Sequence, residues 1–534
     1  MLDTMPNPSE RPQPQGRHTP HLRSVWIVTP IALAVVGVLA CGLFQGMDTL
    51  LTAENRTGKP VDVNNVIKTT ATVLTLIGAV LTGVYAYRKQ LLAEGDSHRA
   101  DASQLADRYS TAAEQMGHEQ AAVRLAGVYA MARLADDWPE QRQVCIDVLC
   151  AYLRMPYKTA PTATGYKPGE QEVRLTIIRI IRDHLQNPMA PTTWCGLSLD
   201  FTGATFDGGD FYGARFTDGT VSFAGARFYG TMVSFRGVEF AGGTVSFSGA
   251  RFGGGTVSFR GVEFAGGTVS FSGARFGGGT VAFGDAKFTG GTVSFRTTQF
   301  AGGEVTFHGA EFIGGLVTFH GAEFTDGEVS FLGAGFADGV VSFLGAGFTG
   351  GVVSFRGVGF TGGVVSFDGV GFAGEVSFSD ARFAGGEVTF HGAGFARGVV
   401  SFRGAEFTAG TVSFRGAGFG GGAGFGGGAV LFDSAGFAGS EVTFDSAGVT
   451  DGEVSFRGAE FTAGTVSFRG AGFGGGVVFF DSAGFAGGVV SFASAGVTGG
   501  TVSFDGVRVE SAADIDWGPF YAIPPRPEDR QHQV

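Results

Sequence analysis

His118-Glu119 begins the string H-E-x-x-H, in which two imidazoles one helical turn apart hold a zinc ion and the glutamate acts as general base. Ala122 stands where the second imidazole is required, so no metal site forms there. His308, His320 and His391 each follow a phenylalanine directly, which points all three outward. His308 and His320 fall on opposite sides of the repeated structure described below and share no metal. Cys145 and Cys150 lie five residues apart rather than four, so they do not share a helix face, and they read as core thiols. The run GFGGGAGFGGG imitates a phosphate-binding loop, but no Lys-Ser/Thr pair follows it and it lies between strands rather than before a helix. Glu239, Glu263, Glu311 and Glu323 recur at one outward position and read as solvated. No catalytic, cofactor-binding or metal-ligating residue is nominated, and the expectation is a protein that is not an enzyme.

The elements carrying these residues are unusual. Of 534 residues, 93 are Gly and 53 are Phe, whereas Pro numbers only 17, which excludes collagen and a Pro-rich coil. Four cysteines without a C-x-x-C pair exclude a disulfide scaffold. A net charge of −12 shows no basic nucleic-acid footprint.

Val233–Thr256, VSFRGVEFAGGTVSFSGARFGGGT, is repeated letter for letter in Val257–Thr280. In V-S-F and A-R-F the apolar residues alternate with polar ones at strand period, so Val or Ala and Phe share an inner face. From Leu199, Phe201, Phe206, Phe211 and Phe216 come every five residues; afterwards the spacing alternates between five and seven. This resembles the pentapeptide-repeat family. The resemblance implies a right-handed quadrilateral β-solenoid with one pentapeptide per side. Here a two-residue insertion at alternate corners lengthens the coil to twenty-four residues, the offset between Val233 and Val257. A flat turn of half that length is the alternative. Leu199 to about Phe504 then makes roughly 12–13 coils, a rod of about 60 Å. Phe247, Phe271, Phe295 and Phe319 form one stack, and Phe235, Phe259, Phe283 and Phe307 another. Gly serves corners and close approaches, and Ser and Thr form outward ladders. Register breaks are expected at Glu375, where a bridging residue is missing, and at the extra Ala423–Gly428. Val449, Val497 and Val509 replace Phe. Ile515, Trp517, Phe520 and Tyr521 cap the far end.

Before the repeats, Val25–Phe44 and Thr69–Tyr87 are uncharged and long enough to span a bilayer. Arg11, Arg17 and Arg23 precede the first, and Arg88 and Lys89 follow the second, which predicts both termini in the cytoplasm. A cleaved signal for the first span and a buried soluble helix for the second are the alternatives. Glu119–Asp136, Glu140–Leu153 and Glu172–Leu185 read as amphipathic helices, with Ala122, Val123, Ala126, Tyr129, Met131 and Leu134 on the inner face of the first. The expected organisation is a disordered tail (1–24), a transmembrane helix (25–44), an external loop (45–65) and a second transmembrane helix (66–87). An α-helical linker domain (88–190), the solenoid (195–516) and a cap with a disordered tail (517–534) follow.

The whole chain also resembles actinobacterial membrane proteins with pentapeptide repeats, which share the segment here written RYSTAAEQMGHEQAAVRLAGVYAMARLA. The functional expectation is a multi-pass cell-membrane protein whose cytoplasmic solenoid is a non-catalytic scaffold for an unknown protein partner, with homo-oligomerisation possible in the bilayer and no nucleic acid bound. Two alternatives stand beside it. One is a DNA-mimicking modulator of a topoisomerase such as gyrase, a role the family resemblance implies for some soluble members. The other is an accessory or sensor subunit of a membrane complex. No cofactor is expected.

Overall fold

The structure is a computed structural model that describes residues 63–396, 398–420 and 428–520, together with scattered positions between 34 and 49. The chain divides into two compact units, Met1–Ser110 and Thr111–Val534.

Helix α1, Val63–Met116, runs through the expected boundary at 87/88 without a break. Its stretch Ile67–Gln90 is long and apolar enough to cross a membrane, and none of that stretch is buried in protein. Thr72, Thr75 and Thr82 donate to the carbonyls of Lys68, Ala71 and Gly78, so their hydroxyls are satisfied within the helix. The expected first span, 25–44, and loop, 45–65, lie largely outside the described residues. Ala34, Val35, Gly37, Val38, Cys41 and Gly42 are helical. Among the described residues there is one helix of membrane-spanning character, so a two-helix hairpin is not established.

In the second unit come α2 (Ala121–Asp137), a 3-10 turn (Pro139–Gln141), α3 (Arg142–Arg154) and α4 (Glu170–Leu185). The inner face of α2 differs from the expected one. Arg124, Gly127, Val128, Met131, Ala132, Leu134 and Ala135 are buried, while Ala122, Ala126 and Tyr129 are exposed. Gly127 sets this rotation, because a Cβ there would lie 2.6 Å from the backbone nitrogen of Met116. The helix therefore presents its one gap to the end of the preceding helix, and a face chosen by hydrophobicity alone overlooks a glycine contact. On α3 Cys145 and Cys150, expected not to share a face, are both buried, together with Ile146, because the inner face of this helix is broad; Val144 is outside.

From Leu199 the chain winds through parallel strands. Val245 pairs with Val269 and Val269 with Val293, so one coil takes two of the twelve-letter units rather than one. The mainly β solenoid is of the right-handed type, with about 13 coils. Among the described residues its strands fall into two ladders of 23 and 22 strands. Between the ladders the chain turns at F-x-G-A: in Phe247–Ala250 the Ala250 N–H donates to the Phe247 carbonyl at 3.0 Å, and Gly249 has φ +65. This is the third position of a type II turn, where glycine is favoured. The dipeptide bridges do not all turn corners. In Gln299–Thr306 and Glu323–Ser330 the ladder continues across the bridge with shifts of register at Ala301. Glycine is required at the bridges by proximity: a Cβ on Gly267 would lie 2.4 Å from the Gly243 carbonyl oxygen one coil earlier.

Phe rings fill the interior in four columns. Phe247 stacks on Phe271 at 4.8 Å and Phe235 on Phe259 at 4.9 Å, both nearly parallel. These two columns meet edge to face, Phe247 against Phe259 at 5.7 Å and 85°. Phe240–Phe264 and Phe252–Phe276 belong to the outer columns. These rings are all buried; burial contributes about 1.5–3 kcal/mol for each, and each aromatic pair adds roughly 0.5–1.5 kcal/mol.

Irregularities in the letters become offsets in register. Val352 pairs with Glu375 and Val399 with Ala429, absorbing the missing residue and the extra six. Residues 421–427, which take in all of that insertion but Gly428, lie outside the described residues. Val449, Val497 and Val509 occupy Phe positions opposite Phe419, Phe473 and Phe485. At the C-terminal end, Trp517 packs on Phe492 and Phe504, and Phe520 on Phe473, Phe492 and Phe504. Tyr521 and the remainder of the tail lie outside the described residues.

At the other end the helices are not a separate linker. They and the coils form one compact unit. Ile178 of α4 sits where a Cβ on Gly209 would be, 2.9 Å away, and Arg182 pairs with Asp210 at 3.2 Å. The Tyr157 hydroxyl donates to Asp207 at 3.3 Å, Arg154 pairs with Asp200, and Gln143 bonds Ser198. An open coil end is an unpaired strand edge that invites aggregation, and the helices cover it.

Candidate interaction surfaces

The residues singled out for chemistry are dispersed. His118 is exposed and its Nδ1 accepts from the Gln120 N–H at 3.1 Å, which makes it part of the entry to α2. His308, His320 and His391 form the same contact on three coils: Nε2 lies 2.7, 2.8 and 2.7 Å from the hydroxyls of Ser330, Ser342 and Ser413, each one coil further on. His308 and His320 belong to different columns, following Phe307 and Phe319, and do not converge. Aspartates take the same place further along, Asp433 bonding Ser455 and Asp445 bonding Ser467, each at 2.5 Å. Where Ser occupies it, hydroxyls chain together through Ser246, Ser248, Ser270, Ser272 and Ser294. The position after the ring is thus an inter-coil rung.

Glu239, Glu263 and Glu311 share one outward row, but Glu323 does not. It lies on the other ladder, in register with Gln299 and Gly347. The letters are equivalent within a twelve-letter unit, and only the coil length separates them. After Thr205 that second row carries Arg227, Arg251 and Arg275, three arginines in consecutive register. The three half-coils that carry them, 224–235, 248–259 and 272–283, contain no carboxylate. Like charges stacked directly in a ladder oppose each other, so this is a distinctly cationic strip. Over 211–280 six arginines stand against three carboxylates, whereas over 281–520 ten lysines and arginines stand against 23 carboxylates.

Where α4 meets the first coils there is an open cleft of about 470 Å³, lined by Arg179, Arg182, Asp210, Tyr212, Met232 and Arg236. Arg182 is held protonated by the carboxylates of Asp183 and Asp210 against the cost of its partial burial. Sequence reasoning missed this cleft. Its residues lie far apart along the chain, from Arg179 to Arg236, and only the docking of a helix on a coil joins them.

The helices also hold a buried polar cluster. Glu170 takes Arg124 at 3.3 Å, Arg174 at 3.1 Å and the Tyr152 hydroxyl at 2.9 Å. The guanidinium of Arg174 also donates to the carbonyls of Leu153 and Met155, and that of Arg124 to His118, Glu119 and Pro168. Two arginines therefore satisfy the free carbonyls at loop and helix ends around one carboxylate. Burial pushes the Cys145 thiol up to about 11 and the Cys150 thiol up to about 12, and Asp147 adds to the latter, so both stay un-ionised at neutral pH.

No curated protein matches the chain. A family model described as pentapeptide repeats (9 copies) matches it at residues 196–239. That stretch contains Phe201–Phe216, where the phenylalanines fall every five residues, and it is where the four ring columns begin. The coil, its columns and this match over residues 196–239 together support a pentapeptide-repeat protein.

Proposed function

We propose that the solenoid is a non-catalytic platform for protein–protein contacts, tethered to a membrane by the apolar part of α1. The observation that carries this reading is the set of outward rows. The rings and valines inside are nearly invariant, while the row positions outside change from coil to coil between Arg, Glu, Gly, Leu and His. A repeat whose interior is uniform and whose exterior is varied supports recognition along its length. A DNA-like acidic surface is not favoured, because the arginine row at 227, 251 and 275 interrupts it.

Proximity labelling from the native full chain tests this. Replacing Arg227, Arg251 and Arg275 together by Glu, or Glu239 and Glu263 by Lys, is expected to change which proteins are labelled while leaving the fold unaltered by circular dichroism. A labelled set indifferent to both changes sinks the reading. For the tether, an Asn55→Cys probe in a Cys41→Ser background is expected to react with an impermeant thiol reagent in intact cells. A Ser258→Cys probe is expected to stay protected. Labelling at 258 from outside overturns the proposed cytoplasmic orientation.

A further inference from the structure

Gly335 and Gly359 are not required by the coil. Neither has a positive φ. A Cβ on Gly335 meets nothing within 4 Å, and one on Gly359 meets only the Thr361 methyl at 3.8 Å. Strand glycine weakens a strand and often marks a place where another backbone comes close. These two are adjacent rungs of one outward row. On the same ladder Leu316, Val340 and Val364 stand in register, 38%, 40% and 37% exposed. Leu332, at the neighbouring turn, is 45% exposed. Aliphatic side chains stacked in the open beside bare backbone make a weakly solvated strip in the middle of the rod.

The charges that bracket the strip select its occupant. Before the glycines the row carries Lys287 then Glu311, joined at 3.7 Å; after them it carries Arg382 then Glu406, joined at 3.4 Å. Along the row the signs run plus, minus, neutral, neutral, plus, minus. Turned end over end, this pattern is opposite in sign at every charged rung, so the row is complementary to itself. The glycine run on the other ladder, from Gly347 to Gly496, has Glu323 before it and no charged rung after it within the described solenoid, so nothing there would set a register.

We propose that this face binds the same face of a second copy of the chain, antiparallel, about a twofold axis crossing the rod between Gly335 and Gly359. Glu311 of each copy then faces Arg382 of the other, Lys287 faces Glu406, and Val340 faces Val364. The contact is isologous and therefore closes as a dimer rather than growing into a fibre. Its six rungs span about 24 Å, which places it at the small end of specific interfaces, so the dimer is reversible and weakened by salt. This goes beyond the platform reading and does not depend on who the platform's partner is.

Sedimentation of the full chain in detergent micelles reads the association directly. The wild type is expected to show a reversible monomer–dimer equilibrium. Glu311→Lys and Arg382→Glu are each expected to weaken it at least about tenfold, because each sets like charges opposite one another twice. An equimolar mixture of the two variants is expected to return to within about threefold of the wild type. In the mixed dimer the introduced lysine of one copy meets the introduced glutamate of the other across the axis, while the unaltered pair meets on the other side. The ion pairs within each chain stay broken in the mixture, so a purely internal role for these residues does not give recovery. Val340→Lys, which spares all four charges, is expected to abolish association. A wild type that remains monomeric at about 100 µM, within the range where small interfaces associate, overturns the proposal. So do single variants that associate like the wild type, or a mixture that behaves as the average of its parts.

Discussion

The helices at 121–185 and the coils from 199 onward solve the same problem by opposite means. The helical part is held by one irreplaceable cluster: Glu170 between Arg124 and Arg174, with Tyr152 above, drawing together different elements. The solenoid buries no ion pair at all among its described residues. Its interior is Val, Ala and Phe repeated down four columns, and each ring touches its own coil and its neighbours. Specificity therefore resides in different places. A bundle of three short helices needs a polar network with one geometry to fix its arrangement, whereas a solenoid takes its register from backbone pairing and repeats any side chain that fits. Damage should be all-or-none in the first and local in the second.

The severest test is Glu170→Ala. It leaves two buried guanidinium groups without their carboxylate and is expected to cost about 3–5 kcal/mol, measured as early loss of helical signal in denaturant melts. Replacing Arg124, Glu170 and Arg174 together by Met, Leu and Met is expected not to recover that loss, because the carbonyls of Glu119, Pro168, Leu153 and Met155 then lose their donors. Phe259→Ala removes a fully buried ring touching five others and is expected to cost about 3–4 kcal/mol. Hydrogen exchange should rise in the coils on either side of it and remain unchanged beyond about Phe343. Exchange that rises uniformly from Leu199 to Trp517 would erase the distinction between the two regions.

A pH series separates them by another route. The thiols of Cys145 and Cys150 have folded pKa values raised to about 11 and about 12, whereas in the unfolded chain they ionise near about 8.5. Below that unfolded value both states keep the proton and stability does not depend on it. As pH rises from about 9 towards 11, the unfolded thiolates form first, and stability falls by up to about 1.4 kcal/mol per pH unit for each thiol. The helical transition should move down across about pH 9–10.5, and a Cys145→Ala/Cys150→Ala variant should lose that dependence, while the solenoid transition stays put.

Smaller effects come from the turns and the surface. Thr297 holds φ +52 at the turn position where most coils place Gly, a strained choice for a β-branched residue. Thr297→Gly is expected to stabilise the rod by about 1 kcal/mol in the midpoint of unfolding. Arg260 meets Asp285 at 3.0 Å with both side chains mostly exposed, and Arg260→Gln is expected to shift stability by no more than about 0.5 kcal/mol.

Much of the solenoid was legible because its information is local and repeated. The alternation in V-S-F tells which atoms face inward, the Gly of F-x-G-A marks the turn, and the letter-for-letter copy at Val257 announces the coil length. The family match covers the stretch where the five-residue spacing is purest. Less legible were features made by contact between distant parts. The rotation of α2 about Gly127 follows from a neighbouring backbone, not from its own hydrophobic pattern. The division of Glu323 from Glu311 depends on whether a coil takes one or two of the twelve-letter units. The cleft at Arg179 and Arg236, and the docking of α4 on the first coil, join residues that no spacing rule connects.

The order of residues is enough to specify the repeat, its inner rings, its turns and the apolar stretch 67–90, because strand alternation, glycine backbone freedom and transfer from water act on residues within a few positions of each other. Three-dimensional packing adds that the helices close the solenoid's open end rather than form a separate domain. Packing also stacks three arginines into one strip and sets two bare glycines between mirrored charges. Those facts depend on which rung lies over which, and hydrogen-bonded register, not the order of letters, carries that.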